Sequence, residues 1–577
     1  MQAKKYAMAP AAGHYRLAGG IQLQADYVLC EYPLRVLRPR AGLLRLLAAC
    51  IEERTPGELA ALLDLPLMRV EQLCEQLRWK GLLEAGPPLP PGTWPGVSVI
   101  IPSYNRSEQL ERCLDSLLQV SYPARCLEII VVDDCSTDST TAIVEQLTPE
   151  FTAQGITLRY ARNNHRQGAA LSRNRGTQAA RFDLLAFLDS DCVATNDWLA
   201  ALVPAFSDPS VAAAGGMLRS WERRSLLGSY EDKKSSLYMG SQPQHVTLAG
   251  PLTYLSTANL LVRREALNNI GGFAPMPFGE DVDLCRRLLL DGARILYLPQ
   301  GIVLHNYRTT LPAFLHTRAS YASAEADLLR RHPSTRRILL LPPEQAAFAS
   351  LAIGGVWGLV WMLVKWLGGI VLSSRRNRKS DPVSSCRNSH PGPPPGCPQG
   401  ASLHVRTLHT PSPQQCPVSQ GMGNGASRYV GMPLVGIRGW SRNGTLAAIL
   451  VALFGTLKRL RLVRRQGIAL HPFVVLRATL RSYLAYTYHL CRHITRYYTL
   501  PLLIIGVIVP PLLLLVLILC GIVIGVDYAR LRPNMRLEQF ALCSLLDDCA
   551  YEVGVVLGCV KQRTWQPLVP VIRKKPR

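Results

Sequence analysis

Four short β-type runs separated by helical stretches do most to limit what this chain can fold into. They are VSVIIPSY at 97–104, LEIIVVDD at 127–134, ITLRYA at 156–161 and LLAFLDSD at 184–191. Between them lie RSEQLERCLDSLLQ, STDSTTAIVEQLTPEF and GAALSRNRGTQAA, which read as helices. A near-continuous apolar run needs cover on both faces, and helices between successive runs supply it. The alternation therefore predicts an α/β domain over residues 97–310 with a parallel sheet, whose ligands bind at the carboxyl ends of the strands.

Those strand ends carry the chemistry. The first ends in Pro102, Ser103, Tyr104, Asn105 and Arg106, small or polar groups beside which a nucleotide can enter. The second ends in Asp133 and Asp134, followed by Ser136 and Asp138. Adjacent carboxylates at a strand end need partners, and the hydrogen-bond donors of a base and ribose can serve. The plainer use is to cap the next helix, and one carboxylate can do that while the other binds. In LDSD, Asp189 and Asp191 stand two apart. Alternate residues of an extended segment point the same way, so both can converge on one divalent cation, Mn²⁺ or Mg²⁺, and a ribose. In GGFAPMPFGEDVDLCRRLLLDG, Glu280, Asp281 and Asp283 crowd a helix start, more acids than capping requires. Asp281 is the candidate general base. His305, in GIVLHNYR, is a candidate third metal ligand beside a competing structural use.

The flanks differ in kind. Residues 15–86 read as short strands, then helices with a Thr-Pro-Gly-Glu start at Thr55, then a strand, a small winged-helix-like unit. PPLPPGTWP within 87–96 is a proline-rich linker. Residues 311–344 look helical and basic. The runs 346–364 and 500–526 are long enough to cross a bilayer, the second kinked at Pro510 and Pro511. Residues 445–457 form a shorter apolar segment, and 458–498 suit a helix in the membrane interface. Residues 374–444 have no periodicity and are expected to be disordered. The net charge of +24 clusters beside the apolar runs, as at Arg375, Arg376, Arg378 and Lys379 and in KRLRLVRR at 458–465. That placement fits anionic lipid better than nucleic acid. The 16 cysteines include no CxxC pair, so a zinc site or disulfide framework has no support, and reduced cytosolic thiols are expected. A cell-membrane protein with a cytoplasmic catalytic domain follows.

Taken together, SVIIPSYNR, EIIVVDDCSTD, GAALSRNRG, LDSD and GED resemble the family 2 glycosyltransferases of the GT-A fold, over about residues 97–310. The resemblance implies that Asp133 recognises the base, Asp189 binds the donor, Asp191 holds the metal and Asp281 is the base of an inverting displacement. Arg173 and Asn174 match that family's ARN step, with Ser172 in place of the usual Ala. The whole chain further resembles the mycofactocin-system glycosyltransferases, which carry a PqqD-like unit before the transferase domain. This implies UDP-glucose as donor, a mycofactocin-type precursor peptide or peptide-derived redox cofactor as acceptor, and peptide recognition by residues 15–86. A membrane polysaccharide or lipid-linked glycan synthase is an alternative, though no QxxRW motif follows Asp281. A non-catalytic peptide- or DNA-binding scaffold is the remaining alternative.

Overall fold

The computed structural model describes residues 14–31, 34–79, 81–85, 94–248, 252–377, 434–465, 468 and 470–573. Most of the linker expected at 87–96 lies outside them, as does most of the expected disordered segment. The two ends of that segment, 374–377 and 434–444, are instead turns of long helices. Residues 354–445 cluster as a separate unit, and the site lies wholly in the other, residues 1–353 and 446–577.

The described residues from 14 to 85 form short strands and three helices. Strands Ile21–Leu23, Val28–Glu31 and Leu34–Leu37 make an antiparallel meander, and Tyr15–Leu17 pairs with Leu83–Ala85. Helices Ala41–Ala49, Pro56–Leu63 and Leu67–Trp79 enclose a core that includes Tyr15, Leu46, Leu47, Leu59 and Val70. The Thr55 start is a capping box: the Thr55 hydroxyl accepts from the Glu58 N–H, and the Glu58 carboxylate accepts from the Thr55 N–H.

The α/β domain contains β1 (Val97–Ser103), α1 (Ser107–Leu118), β2 (Leu127–Asp133), α2 (Thr140–Ala153), β3 (Thr157–Arg162), α3 (Ala169–Ala179), β4 (Leu184–Leu188) and β5 (Cys192–Ala194). It continues with β6 (Val211–Ser220), α4 (Leu226–Lys234), β7 (Asn259–Arg263), α5 (Glu280–Leu290), β8 (Arg294–His305) and α6 (Leu311–Arg331). The strand order is β5-β8-β6-β7-β4-β1-β2-β3, with Gln244–His245 also paired to β8. Strands β1 to β4 are parallel and buried on both faces, except β3 at the edge. The other half corrects the expectation of a parallel sheet, because β7 runs antiparallel to both β4 and β6. Strict alternation of apolar run and helix stops at Asp191; beyond it β6 and β8 still pair parallel, but β7 and β5 join the sheet antiparallel.

After α6 come α7 (Pro343–Asn377), α8 (Leu434–Arg465), α9 (Pro472–Tyr497), α10 (Thr499–Ile508), α11 (Pro510–Leu531) and α12 (Leu537–Lys561). The apolar run at 500–526 is thus two helices broken at Val509, because Pro510 lacks the N–H that a continuous helix would use. Among the described residues, α11 is the one helix long and apolar enough to cross a membrane. Helix α12 lies directly on α6. A Cβ on Gly554 or Gly558 would collide with the backbone oxygen of Ala319 or Ser323, so only glycine permits this approach.

Candidate active site

A cleft of about 1200 Å³ opens at the carboxyl ends of the parallel strands. Asp134, Arg173, Asp189, Glu280, Asp281 and His305 all line it, although they come from five separate elements or their ends. Pro102, Tyr104 and Arg106 line it too. The far wall comes from α6 and from the C-terminal helices, which contribute Arg496 and Tyr551.

Arg173 organises the acidic side. Its buried guanidinium donates to Asp189 Oδ1 at 2.6 Å and to Glu280 Oε1 at 2.8 Å. Helix α5 then sorts the three acids that crowd its first turn. Glu280 turns to Arg173, and Asp281 faces the cleft. Asp283 turns inward to Arg287 and His332, each at 2.8 Å, which is a structural use. Gly279 precedes them with a φ of 81°. A Cβ there would also press on Ala324 and Leu328 of α6, so the glycine lets α5 start against that helix. Burial, and then the Glu280 charge, push the Asp281 carboxyl up to about 7. The Val282 N–H and Arg173 act in the opposite direction.

Asp191 sits just behind the cleft surface, 3 % exposed. It forms a tight ion pair with Arg106, and Arg308 approaches to 3.9 Å. His305 Nε2 lies 3.7 Å from Asp191 Oδ1, because β5 pairs with β8 at Cys192 and His305. Burial opposes the Asp191 charge, but His305, Arg106 and Arg308 outweigh it and hold the carboxyl below its usual range. Asp191 Oδ1 and His305 Nδ1 are buried without a hydrogen-bond partner. Ligand atoms of Asp191, Cys192 and His305 lie within 4.8 Å of one another. Burial raises the Cys192 thiol well above its ordinary value, so it stays neutral and is a poor ligand. One carboxylate and one imidazole remain, a donor set that fits Mn²⁺ or Mg²⁺ rather than a thiolate-seeking metal.

Two other expected site residues are placed elsewhere. Asp133 is fully buried behind the wall, where it accepts from the Ser136 N–H at 2.8 Å, the Tyr160 hydroxyl at 2.6 Å and Arg162 at 2.9 Å. It does not line the cleft, whereas Asp134 does. Asp134 in turn accepts from the Gln167 and Gly168 N–H groups and from Asn163, each at 2.8 Å, fixing the entry to α3. Asn105, at a φ of 49°, accepts from the Thr137 N–H at 2.7 Å and ties the ends of β1 and β2 together behind the lining. Ser172 fits this network through a 3.0 Å bond from Asn163.

The sequence reading missed several lining residues. Arg166 stacks 4.1 Å from the centre of the Tyr104 ring. Arg308 stands three residues beyond His305, where proximity to a candidate ligand was a usable signal. Tyr254, Phe278 and Tyr321 form an aromatic side of the cleft near Asp281. Arg496 and Tyr551 had no local signal, since only the packing of α9 and α12 brings them in.

Residues 95–322 match the family model described as "Glycosyltransferase like family 2". A pre-mycofactocin glycosyltransferase of Mycobacterium tuberculosis is 33% identical over 274 residues, 46% of this chain and 55% of that protein. The chain thus spans about half the length of this curated relative. Glycosyltransferase AglE of Haloferax volcanii is 28% identical over 218 residues, 37% of this chain and 68% of its own. Among solved structures, mannosyltransferase PcManGT from Pyrobaculum calidifontis, in complex with GDP-Man and Mn²⁺, is 23% identical with a TM-score of 0.35. The match covers 43% of this chain and 66% of that one.

Proposed function

Since residues 95–322 match a family 2-like glycosyltransferase model, we propose that the chain is an inverting, cation-assisted hexosyltransferase. It moves glucose from UDP-glucose onto a peptide-derived redox cofactor of the mycofactocin type. The observation that carries this reading is a single cleft that joins Asp134, Arg173, Asp189, Glu280 and Asp281. The likeness to the mycobacterial relative supports the choice of acceptor. The PqqD-like reading of residues 15–86, with peptide recognition at a sheet edge, belongs to the same proposal.

Asp281 takes the proton of the acceptor hydroxyl. The hydroxyl oxygen attacks the anomeric carbon, and the bond from that carbon to the diphosphate oxygen breaks with its electron pair going to the diphosphate. The configuration inverts, because attack and departure lie on opposite faces. A carboxyl with a pKa near 7 is well matched to this work at neutral pH. Asp191 and His305 would hold a divalent cation, which would supply positive charge to the diphosphate. Arg106, Arg166 and Arg308 add fixed positive charge on the donor side, and Tyr104 under Arg166 offers a flat surface to a base.

A panel of nucleotide sugars with Mn²⁺, assayed for released nucleotide and followed by mass analysis of products from a cell extract, tests the reading. UDP-glucose should give the fastest release, and a hexose increment of mass should appear on a small peptide-derived acceptor. No release from any donor would overturn it.

A further inference from the structure

The apolar run at 500–526 does not behave as one kinked span. Helices α10 and α11 fold back on each other about Val509. A Cβ on Gly506 would lie 3.1 Å from the Leu513 Cα, and Leu502 and Leu503 pack in one cluster with Val516 and Cys520. Gly506 and Leu513, three residues before and four after Val509, therefore face each other, which is the mark of an antiparallel hairpin.

Both feet of this hairpin are tied to the catalytic body. At the first, the Leu500 N–H donates to Glu552 of α12 at 3.0 Å. At the second, Asp527 pairs with Lys234 of α4 at 2.7 Å and accepts from Tyr488 of α9 at 2.6 Å. Exposure rises steeply toward the tip: Thr499 is 2 % exposed and Asp527 5 %, but Ile504 is 68 %, Val507 79 % and Ile508 80 %. No charged residue occurs from Thr499 to Val526. The first charge beyond is the anchored Asp527, followed by exposed Arg530, Arg532 and Arg536.

We propose that residues 499–531 form a re-entrant hairpin that enters one leaflet of a membrane and returns, leaving both flanking segments on the side of the catalytic cleft. The ten-residue arm α10 is about 15 Å long. That is roughly half of a ~30 Å hydrocarbon core, so the arm reaches the midplane and no further. The occupant of the exposed face is lipid, because an uncharged apolar tip with arginines at its foot matches acyl chains beneath anionic headgroups. The cleft is thereby held beside the surface where the hairpin enters.

Single cysteines in the full chain test this: Arg481→Cys before the hairpin, Ile508→Cys at the tip and Arg532→Cys after it, all exposed positions. A membrane-impermeant maleimide carrying a mass tag is applied to right-side-out and to inverted membrane vesicles, with tagging counted relative to the parent chain. Residues 481 and 532 should both be tagged in the same vesicle orientation, and residue 508 only after detergent. Tagging of 481 and 532 in opposite orientations would mean a crossing and overturn the proposal. So would a tip that is tagged in intact vesicles, or one that stays protected in detergent, where a second copy rather than lipid covers it.

Discussion

Arg173 and Glu280, 107 residues apart, form a 2.8 Å ion pair that connects α3 to the start of α5 inside the cleft wall. The same guanidinium holds Asp189 at 2.6 Å, so one side chain aligns Asp189 with the helix that presents Asp281. Replacing it with methionine keeps most of the volume but leaves two carboxylates without their buried partner. Loss of one member of a buried pair costs about 3–5 kcal/mol. Arg173→Met should therefore lower the denaturant midpoint sharply and abolish transfer. An unchanged midpoint would show that Asp189 and Glu280 find other donors.

The elevated Asp281 pKa has a consequence for pH. The base works only when ionised, so kcat/KM should fall as pH drops through about 7. The same shift acts on stability with a definite sign. The folded state binds this proton more tightly than the unfolded chain, so this group's contribution to stability declines as pH rises from the ordinary carboxylate range toward 7. Asp281→Asn should lower kcat by ~10²–10⁴-fold and remove that acidic limb from the remaining activity. A pH–rate profile of the parent and variant decides the matter: an acidic limb that survives in the variant belongs to another group.

How much of this was readable beforehand depended on range. The four β-type runs specified the first half of the sheet because strand burial is written locally, in uninterrupted apolar residues. The Thr55 cap was readable for the same reason, since both partners lie within four residues. The burial of Asp133 was not, because it depends on Tyr160 and Arg162, which reach it only through pairing of β2 with β3. Two adjacent prolines read as a kink, and only the close approach of Gly506 to Leu513 shows a reversal. The GVVLG stretch at 554–558 was the unused signal for the cleft's far wall, since small residues four apart mark close helix approach.

Asp191 and His305 should govern cation binding. Asp191 Oδ1 is buried with no competing hydrogen bond, and His305 Nε2 lies 3.7 Å from it. His305→Ala should weaken Mn²⁺ binding by at least the roughly 10–100-fold that losing an outer-shell partner costs. Electron paramagnetic resonance of free Mn²⁺ reads this directly, without any turnover. Asp191→Asn should be more severe, because the carboxylate charge is what balances Arg106 and the cation alike. Equal Mn²⁺ affinity in all three proteins would place the cation elsewhere.

The contact between α6 and α12 gives the sharpest test of the C-terminal helices as part of the active site. Gly558 faces the Ser323 backbone oxygen, so a methyl group there meets backbone that cannot rotate away. Overpacking of this kind costs about 1–3 kcal/mol or forces the helices apart. Gly525, on α11, has nothing within 4 Å of the same added atom. There, alanine should stabilise by roughly 0.5–1 kcal/mol through the unfolded chain's lost freedom. Gly558→Ala should therefore lower the melting temperature while Gly525→Ala leaves it level or raises it. If α12 also serves the chemistry, Gly558→Ala should raise the acceptor KM, because Tyr551 and Arg496 reach the cleft from α12 and its neighbour α9. Donor hydrolysis to free nucleotide should persist, since Arg173 and Asp189 come from α3 and the end of β4 rather than from α12. A variant that melts earlier yet keeps its acceptor KM would confine α12 to a supporting role.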